Sequence, residues 1–110
     1  MLTLPGKPRL FIYQGITDMR KSFEGLSTIA EKAFPDELLT GAYFIFLNRR
    51  GDCMKVLYWD TDGLAIWYKR LEKGRFSRKE SQEPSITRRD FLMLLEGVEP
   101  KKINRRHNIS

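Results

Sequence analysis

The chain has 110 residues, 41% hydrophobic and 31% charged, with a formal net charge of +6 and one cysteine. That is enough for one domain with a modest core, it is not the composition of a disordered chain, and no apolar run approaches the roughly 20 residues of a membrane span. Cys53 alone excludes an internal disulfide and a thiolate metal cluster, and with no signal-peptide pattern at the N-terminus the expected setting is the cytoplasm. The positive charge favours an acidic partner, nucleic acid first.

In chain order, Pro5 and Pro8 keep the first eight residues irregular, and residues 9–13 read as a short strand. Gly15 breaks that run, and Thr17 or Asp18 is placed to cap a helix. Met19, Phe23, Leu26, Ala30 and Ala33 then recur at helical spacing until Pro35 ends the helix. Arg20, Lys21, Glu24, Ser27, Glu31 and Lys32 form its polar side, so the helix is amphipathic and should lie on a sheet. Two features oppose local preference: Gly25 in the helix interior, expected to admit a neighbouring backbone, and Arg20 and Lys21 in a first turn whose dipole disfavours cations.

Residues 43–76 hold three apolar, aromatic-rich runs divided by Asn48-Arg49-Arg50-Gly51 and Asp60-Thr61-Asp62-Gly63, which predicts a three-stranded antiparallel meander. If each turn is type I with glycine in the left-handed position, Asn48 faces Asp52 and Asp60 faces Leu64. That register collects Phe44, Phe46, Met54, Val56, Tyr58, Leu64, Ile66 and Tyr68 on one face as the core. The opposite face would then gather Lys55, Trp59, Trp67 and Lys69 with several apolar residues, a mixed surface open to a partner.

After the meander, Lys69, Arg70, Lys73, Arg75, Arg78 and Lys79 stand against Glu72, with Phe76 among them. Cations interleaved with an aromatic ring suit phosphate contact with stacking; a solvated strand edge guarded by lysine is the bland alternative. A short apolar helix follows from Thr87 to a Gly97 cap, with Thr87 and Asp90 at capping-box spacing, expected to be buried on nearly all sides. Residues 99–110 carry Lys101, Lys102, Arg105 and Arg106 and read as a disordered basic arm behind a single 1–98 domain.

No catalytic constellation stands out. The lone histidine, His107, lies in the tail, and Asp52, Asp60 and Asp62 occupy turn positions where aspartate is favoured for local hydrogen bonds, which weakens a metal-dependent nuclease reading. No metal or other cofactor is expected.

Longer stretches carry a resemblance. Residues 15–26 (GITDMRKSFEGL), 46–52 (FLNRRGD), 55–60 (KVLYWD), 67–76 (WYKRLEKGRF) and 94–97 (LLEG) resemble the TnpB-type accessory protein encoded by the second reading frame of the insertion sequence sixty-six group, a family distinct from the RNA-guided nuclease that shares the TnpB name. Where that family often shows Phe-x-Trp-Pro, this chain has Phe76-Ser77-Arg78-Lys79. The resemblance implies a bacterial protein that accompanies a larger transposase.

The expectation is therefore an α+β fold: an antiparallel sheet of about four strands, one amphipathic helix on a face and a short C-terminal helix. The function expected is a non-catalytic transposition accessory protein binding DNA through Arg20, Lys21, Arg49, Arg50, Lys69, Arg70, Lys73 and Arg75. Lys55, Trp59, Trp67, Phe76 and the tail cations are secondary candidates. The alternative is an adaptor that docks on the transposase, or homodimerises, through the mixed sheet face and last helix.

Overall fold

In the computed structural model, which describes residues 8–76 and 85–95, the elements run β1 (Leu10–Ile12), α1 (Phe23–Ala33), β2 (Tyr43–Leu47), β3 (Cys53–Asp60), β4 (Gly63–Arg70) and α2 (Arg88–Leu95). The strands form one sheet in the order β1-β2-β3-β4. The expected α+β class holds, and β2, β3 and β4 are the antiparallel meander. β1 departs from the antiparallel pattern: it pairs parallel with β2, because α1 carries the chain back across the sheet before β2 begins.

Both faces of the sheet are covered. One carries Phe11, Phe44, Phe46 and Leu57 against Leu26 and Ala30 of α1, with Phe34 stacked on Phe11 at 4.9 Å between ring centres. The other carries Leu10, Ile12, Tyr43, Ile45, Leu47, Met54 and Val56 against Phe91 and Leu94 of α2 and against Phe76. With cover on both sides, all five residues of β2 are buried, which is why it reads as the unbroken apolar run YFIFL.

The register differs from expectation by one residue in each hairpin. Leu47 pairs with Met54, so residues 49–52 form the first loop; Asp60 pairs with Gly63, so Thr61 and Asp62 alone form the second. Gly51 takes the left-handed position as expected (φ 75°), but in the second turn Thr61 does so (φ 58°) and Gly63 is an ordinary strand residue. A one-residue slip sends alternate side chains to the opposite face. The two slips cancel between β2 and β4 and leave β3 alone inverted. Met54, Val56 and Tyr58 therefore belong to the α2 side, while Lys55, Leu57 and Trp59 join Phe44, Phe46, Leu64, Ile66 and Tyr68 on the α1 side. Trp59 and Trp67 consequently lie on opposite faces, and the mixed docking face does not exist.

The helices also differ in detail. α1 begins at Phe23 behind Ser22, which makes no side-chain cap; Thr17 and Asp18 belong to the preceding loop. Its buried stripe is Leu26 and Ala30, whereas Phe23 is 46% exposed and Ala33 is exposed as well. α2 does have its expected cap, with the Asp90 amide donating to Thr87 Oγ1 at 3.1 Å. It buries one face only, since Leu92 is 40% exposed. The Gly97 cap and the basic arm at 99–110 lie outside the described residues.

Candidate nucleic-acid interface

The β2–β3 hairpin loop is built around Asn48. Its Oδ1 accepts from the Cys53 amide at 3.0 Å and its Nδ2 donates to Asp52 Oδ1 at 2.8 Å. The Gly51 amide donates to the Asn48 carbonyl at 3.2 Å, which tightens the turn. The hydrogen bond from Asn48 holds the Asp52 carboxyl below its ordinary value, with Arg50 adding a smaller Coulombic contribution. With Asn48 and Asp52 tied to each other, Arg49 and Arg50 between them point out, both exposed.

Residues 71–76 fold back onto this tip. The Leu71 amide donates to the Asp52 carbonyl at 2.8 Å and the Phe76 amide to the Gly51 carbonyl at 2.7 Å. Phe76 is 3% exposed and belongs to the core on the α2 side, so it anchors the segment and is not available to stack on a base. Arg70, Lys73 and Arg75 are exposed beside Arg49 and Arg50, and a hollow lined by Arg50, Asp52, Leu71, Glu72, Gly74 and Arg75 separates the two segments. Among the described residues none of these five cations forms an ion pair. Lys69 is half-buried on the α2 side of β4.

The motif before α1 reaches the same end by another route. The Thr17 amide donates to the Leu47 carbonyl at 2.9 Å, past the paired length of β1, and so places the loop beside the last residue of β2. From β3, Lys55 Nζ donates to the carbonyls of Met19 and Lys21, both at 2.8 Å, and lies 5.0 Å from the centre of the Tyr68 ring. Lys55 is thus a clamp on the loop, its ammonium engaged by two backbone carbonyls.

Arg20 is engaged as well. Its Nε is 3.1 Å from both Asp18 oxygens and its guanidinium donates to Oδ2 at 2.7 Å. The Asp18 carboxyl, held first by that side chain and then by the Arg20 amide, is lowered to about 2. Lys21 is exposed, and its stem crosses Gly25: a Cβ there would lie 3.1 Å from Lys21 Cβ and Cγ. The glycine that was expected to admit a backbone admits a side chain. Trp67 packs against the α2-side core, and both tryptophans are half-buried. Lys101, Lys102, Arg105 and Arg106 lie outside the described residues. Spacing alone missed the clamp: a lysine alternating with apolar strand residues looks solvent-facing until a loop is placed over it.

No group of His, Cys, Asp or Glu that could hold a metal occurs among the described residues, and none of their helices is long and apolar enough to cross a membrane. No solved structure matches the chain. It is 32% identical over 93 residues to the uncharacterized protein y4hO of Sinorhizobium fredii (strain NBRC 101917 / NGR234), covering 83% of this chain and 81% of that one. The uncharacterized protein y4jC of the same strain is 24% identical over 100 residues, covering 89% and 86%. The family model described as IS66 Orf2 like protein matches residues 8–105, from before β1 to beyond α2, and the chain belongs to that family, which implies an accessory role in insertion-sequence transposition.

Proposed function

We propose that the protein serves transposition by binding DNA through the basic end of its sheet, with Arg49, Arg50, Arg70, Lys73 and Arg75 as the principal phosphate contacts and Lys21 at its margin. The observation that carries this reading is the backbone latch between the hairpin tip and residues 71–76, which sets exposed arginines from two segments side by side. A latched backbone has less freedom to lose on binding, and guanidinium forks suit phosphate oxygens. Arg20, neutralised by Asp18, contributes little, and Lys69 contributes less than its exposed neighbours.

Anisotropy titrations of the element's terminal inverted repeat and of a scrambled duplex test the proposal. Replacing Arg49 and Arg50 by Glu should weaken binding at least roughly tenfold, and the logarithm of affinity should fall linearly with that of salt concentration. Affinity unchanged by the double reversal removes the tip from the site.

Docking on the transposase is the second reading, favoured by Ile16 (50% exposed) and Phe23 (46% exposed), apolar side chains on either side of the Arg20–Lys21 loop. Loss of transposase capture on replacing Ile16 and Phe23 by Ser, with DNA affinity intact, would select it.

A further inference from the structure

β4 closes the sheet on one side, and its eight residues run without proline. The other edge differs: β1 is joined by Ser85 and Ile86, through an antiparallel bridge at Phe11 and the Ile86 amide donating to the Leu10 carbonyl at 3.0 Å. The Leu71 amide bonds Asp52 across the β3–β4 pair, and residues of an antiparallel strand face their partner alternately. Leu64, Ile66, Tyr68 and Arg70 therefore aim their backbone N–H and C=O groups outward, and among the described residues nothing pairs with them. Their side chains share the α1 face, where Tyr68 is 50% exposed.

We infer that two copies of this chain join through β4, antiparallel and centred on Ile66, into one continuous sheet. A two-fold axis perpendicular to a sheet keeps each residue on its own face, so an antiparallel self-pairing must centre on a residue and not between two. Centring on Ile66 places Ile66 against its copy and Leu64 against Tyr68, and it brings the turn residue Asp62 towards the side chain of Arg70, which in the dimer is shared between that carboxylate and any phosphate. Every outward N–H and C=O of Leu64, Ile66 and Tyr68 gains a partner, and the exposed Tyr68 ring meets a leucine. On the other face Ala65 meets the half-buried Trp67.

Charge selects this occupant and this direction. β4 begins beside the exposed acidic turn of Asp60 and Asp62 and ends in Arg70, so it complements itself only when antiparallel. The same symmetry sends the two basic ends of the sheet to opposite ends of the dimer, which keeps two chains of net charge +6 from opposing their arginines. An edge strand that pairs with nothing among the described residues is otherwise an aggregation hazard, and a closed self-pairing removes it.

The test is sedimentation velocity on the full chain without DNA, from roughly micromolar to roughly millimolar protein, together with amide exchange at both extremes. The expected result is a reversible dimer whose Leu64, Ile66 and Tyr68 amides become protected as concentration rises. Asp62→Arg and Arg70→Asp, both at exposed sites, should each weaken it roughly fivefold, and the double reversal should recover most of that loss. A chain that stays monomeric throughout, or a dimer whose outward β4 amides exchange at a rate independent of concentration, overturns the inference. Protection with no response to either reversal overturns the Ile66-centred register.

Discussion

Lys55 shows how one side chain can change meaning between sequence and structure. It lies on a strand face with Phe44, Phe46 and Leu57, and its ammonium passes them to reach the carbonyls of Met19 and Lys21. Methionine has the stem without the donors, so Lys55→Met should lower stability by about 2 kcal/mol in urea unfolding, the scale of losing charge-assisted hydrogen bonds. It should also loosen the loop that carries Lys21. Asp18 and Arg20 give a second test. Because the folded carboxyl is depressed to about 2 from 3.8, its contribution is fully present above the unfolded value and is lost as pH falls through about 2. A carboxyl NMR titration should find that low midpoint, and Arg20→Ala should return it towards 3.8. Gly25→Ala is a third: alanine gains about 1 kcal/mol of helix propensity but pushes the Lys21 stem aside. Stability should hold or rise while the Lys21 resonances shift.

At the scale of elements, the hairpins decide which side of β3 faces which helix. Their positions were legible in the sequence, because Asn48, Gly51, Asp60 and Asp62 are turn residues between β-branched and aromatic runs. Their lengths were not. A type I turn with a following glycine and the observed four-residue loop use the same letters, and the difference of one residue inverts the strand. Phe76 was misread for a related reason: an aromatic ring among arginines suggests stacking until the chain is seen to turn back over Gly51 and sink the ring into the core. Phe76→Ala should cost about 3–5 kcal/mol in unfolding experiments. A milder Phe76→Leu, expected to retain the fold, should still weaken DNA binding by loosening the 71–76 segment.

For the whole molecule, a two-sided sheet concentrates positive charge by geometry. Three motifs far apart in the chain, around Lys21, Arg49–Arg50 and Arg70–Arg75, are brought towards one end because the strands carrying or contacting them all terminate there. If that end is the DNA surface, each phosphate contact removed should flatten the salt dependence by about 0.9 on a double-logarithmic plot. Arg75→Ala should therefore lower the slope by close to that amount and weaken repeat and scrambled DNA alike. Glu24→Ala, on the exposed side of α1, should leave the slope unchanged.

By itself the sequence determined the α+β class, the order of the strands and helices, and the family, because periodicity, turn residues and long local motifs are properties of neighbouring positions. Tertiary structure alone decided the register, the parallel pairing of β1, the burial of Phe76 and the use of Lys55. Each depends on which distant group fills the space beside a residue, and local spacing carries no record of that.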